Sequence, residues 1–186
     1  MTVGAGKGAD PLTLKKQTLR GRTVQLEPLA ESHAGQVVAW RNHPEVRPYF
    51  IARSPLTIEG QMAWTAGQVQ RADDFTYVIR EPGGQAVGMV AVYDIDRVAG
   101  CAEFGRLLTA PGARQKGYAR DAAIALVAFA FEALGLQLLY AHCLADNLRV
   151  HRFFIAIGFT PAGELLSDVS GQPMVRFERR REIPSE

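Results

Sequence analysis

A basic, glycine-bearing turn is the first place in this chain where residue types and spacing could do chemistry. From Arg114 to Arg120 it reads Arg-Gln-Lys-Gly-Tyr-Ala-Arg, with Arg114, Lys116 and Arg120 positive and Gly117 and Ala119 small. An apolar run from Cys101 to Thr109 precedes it, Pro111 and Gly112 break that run, and Asp121 opens a long apolar stretch, Ala122 to Leu134. Strand, basic turn, helix is the layout of an anion site. The first N–H groups of a helix have no partner inside it, and the helix dipole turns its positive end toward them. Small residues let a phosphate approach the backbone. The chemistry expected here is the seating of a diphosphate on a helix N-terminus, with a solvated basic turn as the plainer alternative. The turn is not a Walker loop, because Gly-Lys-Ser/Thr is missing, and it lacks the Gly-x-Gly-x-x-Gly of a dinucleotide fold.

At 186 residues one domain is expected, with room for a sizeable core. Hydrophobic content of 47% and charged content of 22% fit a soluble globular protein, and with no membrane-length apolar run and no signal-like N-terminus a cytoplasmic protein is expected. A net charge of +2 is too small to argue for nucleic acid or a membrane as partner. Cys101 and Cys143 lie in apolar runs and read as reduced, buried thiols. The four His are scattered and share no ligand spacing with the Cys, so no metal is expected.

The elements that must position the turn follow from pattern. Residues 1–17 read as a flexible tail; Gly4-Ala-Gly6-Lys-Gly8 is only loosely phosphate-like. Val24 to Glu27 alternates as a first strand, ended by Pro28. Glu31 to Trp40 has helical spacing, and Pro44 stops it. Thr57 opens a second helix that runs to near Arg71. Strands over 75–79, 86–95 and 101–109, joined by short turns at Glu81–Gly84 and Asp96–Gly100, predict an antiparallel meander. A helix over 119–134 crosses to a strand over 138–144. Asp146-Asn147 starts a helix that Gly158 stops, and 159–167 with 174–179 form a closing hairpin. The class is α+β, in a single domain over 18–182 with a short tail over 183–186.

Arg114-x-x-Gly117-x-Ala119, between a strand and a helix, resembles the pyrophosphate loop of the Gcn5-related N-acetyltransferases, Gln/Arg-x-x-Gly-x-Gly/Ala. Downstream, the run from Asn147 through Phe154 to Gly158-Phe159 is similar to that superfamily's Asn-x-x-Ser/Ala-x-x-x-Tyr-x-x-x-Gly-Phe segment. Pro28, the run Trp40-Arg-Asn-x-Pro-Glu-Val-Arg47 and Asp94-Ile-Asp96 resemble one branch. It holds the ribosomal-protein N-terminal acetyltransferases and the N-acetyltransferases of nucleotide-linked amino sugars. The likeness covers roughly residues 18 to 168. It implies a mixed, mostly antiparallel sheet of six to seven strands with about four helices. Its fourth and fifth strands, here 101–109 and 137–144, splay to admit the pantetheine arm of acetyl-coenzyme A.

The resemblance also implies a mechanism, direct attack of an amine on the thioester. That needs a base, a polarised carbonyl and a proton for the leaving thiolate. Glu103, in an apolar stretch of strand, is the candidate base, with a surface carboxylate or an ion pair to Arg106 as the alternative. His142 is a minor acid–base candidate. Asn147 is expected to contact the pantetheine or the amine, and also to cap the helix after it. Leu107, Leu108 and Thr109 would meet the pantetheine as an added strand does. Arg114, Gln115, Lys116, Gly117, Tyr118, Ala119 and Arg120 would hold the diphosphate. Phe154 stands where the family often has Tyr, and it has no proton to give. Trp40, Arg41, Phe50, Trp64 and Tyr77 are candidates for the acceptor site, although the tryptophans also suit helix packing.

The activity implied is acetyl transfer to a small or nucleotide-linked primary amine, an amino sugar being favoured. A protein N-terminus is the alternative acceptor. A fold that binds or senses acyl-coenzyme A without turnover is the rival of another class, motivated by Phe154. A homodimer is compatible with such folds.

Overall fold

The pattern of short apolar strands and long amphipathic helices folds as one sheet covered on both faces. The computed structural model describes residues 10–50, 54–167 and 170–182. The strands are Leu19–Arg20 (β1), Gln25–Pro28 (β2), Phe75–Arg80 (β3), Ala86–Asp96 (β4), Cys101–Thr109 (β5), Leu138–Leu144 (β6), Thr160–Leu166 (β7) and Pro173–Arg180 (β8). The helices are Pro11–Leu14 (α1), Ala34–Asn42 (α2), Ile58–Gln70 (α3), Tyr118–Glu132 (α4) and Leu148–Ala156 (α5). The sheet runs β1-β2-β3-β4-β5-β6-β8-β7, antiparallel except where β5 meets β6.

The eighth strand, beyond the six to seven expected, is β1. It has two residues, too few to leave a period in the sequence. The additional helix, α1, corrects the expected tail. Asp10 caps it by accepting from the Thr13 N–H at 3.1 Å, and Leu14 is buried in the main core. Lys15 then donates from Nζ to the carbonyls of Gln68 and Arg71, at the C-terminal end of α3. Residues 1–9 and 183–186, where the rest of the tails and the Gly4–Gly8 run fall, lie outside the described residues.

Helix α4 packs its buried residues, among them Ala122, Leu126, Val127 and Ala130, on one face of the sheet, where Phe75, Tyr77, Ile79, Val90, Val92, Ala102 and Phe104 point. Cutting Leu126 to Ala would cost about 2–5 kcal/mol there. On the opposite face Val78, Met89 and Leu108 pack with Val37 of α2 and with the half-buried Trp40, Phe50 and Trp64. Asp121 lies in the first turn of α4, three residues after its first residue, and does not open the helix. Its carboxylate accepts from the N–H groups of Arg22, Thr23 and Val24 and from the Thr23 hydroxyl. That clamps the β1–β2 turn to the start of α4. Burial alone would raise the Asp121 pKa, but these donors hold it below its usual value.

Candidate active site

The parallel pairing of β5 with β6 covers Cys101–Glu103 against Leu138–Tyr140 and then stops. Beyond it each strand follows its other neighbour: β6 stays paired with β8 from Leu138 to Leu144, and β5 stays on β4 as far as Thr109. A bulge helps turn β5 away. Met89 pairs with Leu108 and Ala91 with Gly105, so Arg106 and Leu107 together face Val90 alone, and Arg106 has φ 49°. The edge of β5 from Phe104 to Thr109 therefore has no ladder partner on the β6 side. This is the splay expected between 101–109 and 137–144, and Leu107, Leu108 and Thr109 line one side of it.

The basic turn sits at the end of β5. Gly117 is the N-cap residue of α4, with φ 82°, a left-handed backbone that costs a side chain-bearing residue about 1–2 kcal/mol. A Cβ added to Gly117 would meet nothing within 4 Å, so the helix N-terminus is open on that side, as a diphosphate requires. Gln115 is also left-handed, at φ 63°. Gln115, Lys116 and Gly117 are exposed, and Ala119 is half-buried. Arg120 reaches the Ala156 carbonyl at 3.5 Å. Two residues of the turn are engaged elsewhere. Arg114 pairs with Glu45 through Nη1 to Oε2 at 2.8 Å and donates to the Glu45 carbonyl, tying the turn to the segment after α2. Tyr118 is the first residue of α4, not a loop residue, and its hydroxyl donates to Glu81 at 3.0 Å.

At the inner end of the splay three polar side chains form a line across three adjacent strands. Glu103 Oε1 lies 3.3 Å from His142 Nδ1, and Tyr93, in register with Glu103 on β4, stands on its other side. Burial first, and then the Glu103 charge, push the Tyr93 hydroxyl well above its usual pKa. Tyr140 lies beside His142, ring centroids 5.5 Å apart, with the Arg176 guanidinium 4.2 Å from its ring centroid. Glu103 does not pair with Arg106. Arg106 donates instead to the fully buried Asp74 at 2.5 Å and to Thr76 at 2.8 Å, and lies over the rings of Tyr93 and Trp64 at 3.9 and 5.0 Å. A half-buried carboxylate held by an imidazole, beside a gap in a sheet, is equipped to take a proton and pass it on.

The remaining expected residues divide. Asn147 caps α5, its side-chain oxygen accepting from the Val150 N–H at 3.4 Å. The Arg41 guanidinium lies 3.7 Å over the Phe50 ring and has no carboxylate partner among the described residues. Trp40 packs on the α2–α3 face and lines a cavity of about 220 Å³ with Glu81, Ala110 and Lys116. Trp64 packs on the same face, under Arg106. Tyr77 is a correction. It is 1% exposed and packs edge-on against Phe129, on the α4 face, so it cannot touch an acceptor. Phe154 is likewise no lining of the gap: it is 4% exposed among Phe104, Phe159 and Phe177, with ring centroids 5.2 to 6.3 Å away. Tyr93, Asp74 and Arg176 were missed. Tyr93 and Arg176 lie at alternate positions of strands, but only the pairing register shows that they share a face with Glu103. Among the described residues no group of three or more His, Cys, Asp or Glu is placed to hold a metal, and no helix is long and apolar enough to cross a membrane.

The family described as acetyltransferase (GNAT) domain matches residues 23–160. No curated protein matches the chain significantly. Among solved structures, spermidine N-acetyltransferase from Vibrio cholerae in complex with CoA and spermine superposes with a TM-score of 0.77 at 18% identity, covering 85% of this chain and 95% of that one. A probable GNAT-family acetyltransferase from Chromobacterium violaceum gives 0.77 at 20% identity, over 96% and 90% of the two chains. A GCN5-related N-acetyltransferase from Brucella melitensis gives 0.75 at 20% identity, over 89% and 79%. At these identities the likeness speaks for the fold.

Proposed function

This chain belongs to the acetyltransferase (GNAT) domain family and is an acetyl-transferring enzyme; we propose that it moves the acetyl group of acetyl-coenzyme A directly to the primary amine of a small molecule, a nucleotide-linked amino sugar being favoured. The observation that carries this is the Glu103–His142 pair at the inner end of the β5–β6 gap, with the open N-terminus of α4 at the outer end. The α4 terminus and Lys116 take the diphosphate. The free edge of β5 hydrogen-bonds the pantetheine amides. That places the thioester beside Glu103, which takes the proton of the attacking amine, while His142 holds the carboxylate in place.

The lean toward an acceptor that carries an anionic group rests on Arg41, whose guanidinium has no carboxylate partner among the described residues. Arg106 and Arg176 are already ion-paired, with Asp74 and Glu178.

The test is release of the coenzyme A thiol with three acceptors: a nucleotide-linked amino sugar, spermidine and a peptide with a free amino terminus. Turnover with the amino sugar supports the reading. Preference for spermidine or the peptide would replace the acceptor class. Release with none of them, despite tight binding of acetyl-coenzyme A, would make the chain a binding protein.

A further inference from the structure

Acetyl transfer leaves a thiolate that must gain a proton, and Phe154 cannot give one: it carries no hydroxyl and is 4% exposed within a cluster of Phe rings. We propose that the Tyr93 hydroxyl is the proton donor to the departing thiolate, laid across β5 through the space that Gly105 leaves. This rests on the acetyl-transfer reading above.

Tyr93 stands on β4 in register with Glu103 of β5. Its side chain does not stay over its own strand. A Cβ on Gly105 would come within 2.9 Å of the Tyr93 hydroxyl and 3.2 Å of the ring edge, so the phenol lies over β5 at Gly105. Gly105 is not among the left-handed glycines. What glycine provides here is room, not backbone freedom. Gly105 lies two residues beyond Glu103, the last β5 residue paired with β6, and so within the splayed stretch. The hydroxyl is thereby held over the stretch of β5 whose other edge opens on the gap. The Arg106 guanidinium 3.9 Å over its ring, itself held by Asp74 and Thr76, keeps the ring down.

The register of Tyr93 with Glu103 closes a proton circuit. The amine nitrogen forms its bond to the acetyl carbon and loses a proton to Glu103. The carbon–sulfur bond breaks and sulfur takes the proton of Tyr93. The phenolate then recovers a proton from the Glu103 carboxyl on the neighbouring strand. One proton has moved from nitrogen to sulfur, with none drawn from solvent. Burial first, and then the Glu103 charge, hold the Tyr93 proton tightly. Protonation of Glu103 removes the second of these when sulfur needs the proton, and burial remains.

The experiment compares wild type with Tyr93→Phe using two acetyl donors and one saturating amine. Acetyl-coenzyme A releases a basic thiolate that benefits from a proton. Its selenium analogue keeps the diphosphate and the pantetheine but releases an acidic selenol that needs none. With acetyl-coenzyme A, Tyr93→Phe should lose on the order of 10²-fold in kcat, with calorimetric affinity for the donor unchanged. With the selenium donor it should match wild type. An equal loss with both donors, or no loss with acetyl-coenzyme A, overturns the assignment. If Tyr93→Phe melts below the assay temperature, Gly105→Ala takes its place. It keeps the phenol but displaces the hydroxyl, and the same donor-selective loss is expected. Wild type that releases no thiol with any amine would sink the acetyl-transfer reading itself, and this assignment with it.

Discussion

Glu103 is in register with Tyr140 of β6, yet its carboxylate reaches His142, two residues further along, at 3.3 Å. The contact runs diagonally over the point where the two strands begin to part. With no further backbone pairing to β6, His142 holds the carboxylate at the inner end of the gap, and Tyr93 stands in register with it on β4. A base fixed by a side chain from the neighbouring strand needs little reorganisation when the amine arrives.

Glu103→Gln keeps the size and the hydrogen-bonding of the side chain but cannot take the proton. Turnover should fall about 10²- to 10⁴-fold, with the affinity for acetyl-coenzyme A close to wild type. Steady-state kinetics with calorimetry separate the two. Unchanged kcat and an unchanged pH profile would remove Glu103 from the mechanism.

Gly117→Val places a branched side chain at φ 82° and in the open space ahead of α4. The strain should cost about 1–3 kcal/mol, seen as a modest drop in melting temperature. Affinity for acetyl-coenzyme A should fall much further than stability does. Unaltered affinity would mean that the diphosphate sits elsewhere.

The loop and its helix were legible in the sequence because their signals are local. A glycine at a left-handed N-cap, small neighbours and the apolar period of α4 all fall within about twenty residues. The faces of the central strands were not legible. All of Phe75–Ile79 and Ala86–Val92 is buried, because helices cover both sides of the sheet, and the usual polar alternation is lost. Pattern alone therefore does not separate Tyr77, which the structure puts under α4, from Tyr93, which it puts in register with Glu103. The bulge at Arg106 adds to this, since it shifts every β5 residue after it to the opposite face. The α1 turn was lost for another reason: one buried Leu14 among polar neighbours leaves no period to read.

Phe154→Tyr supplies the phenol that the family often carries, but into a pocket of Phe104, Phe159 and Phe177. An unpartnered buried hydroxyl should destabilise the fold by about 1–3 kcal/mol, with no gain in kcat. Thermal melting and turnover measured together check this. A faster and equally stable variant would show that the phenol reaches the thioester after all.

Asp121→Asn should loosen the β1–β2 turn from α4, since the neutral amide accepts more weakly from Arg22, Thr23 and Val24. Stability at neutral pH should fall by about 1–3 kcal/mol. The folded-state pKa of Asp121 lies below its usual value, so the wild-type advantage should be complete above about pH 4, the range of an unperturbed carboxyl. It should shrink as the pH falls through the folded value. Denaturant unfolding of both proteins across the acid range tests the sign. An advantage that grows on acidification would contradict it.

The most direct test of the acetyl-transfer site is calorimetric titration of the protein with acetyl-coenzyme A and, separately, with ATP. The open N-terminus of α4 together with the gap between β5 and β6 predicts selective micromolar binding of the coenzyme, about −8 kcal/mol, and much weaker binding of ATP, which has a phosphate chain but no arm to fill the gap. Equal affinity for the two, or no binding of acetyl-coenzyme A, would contradict it.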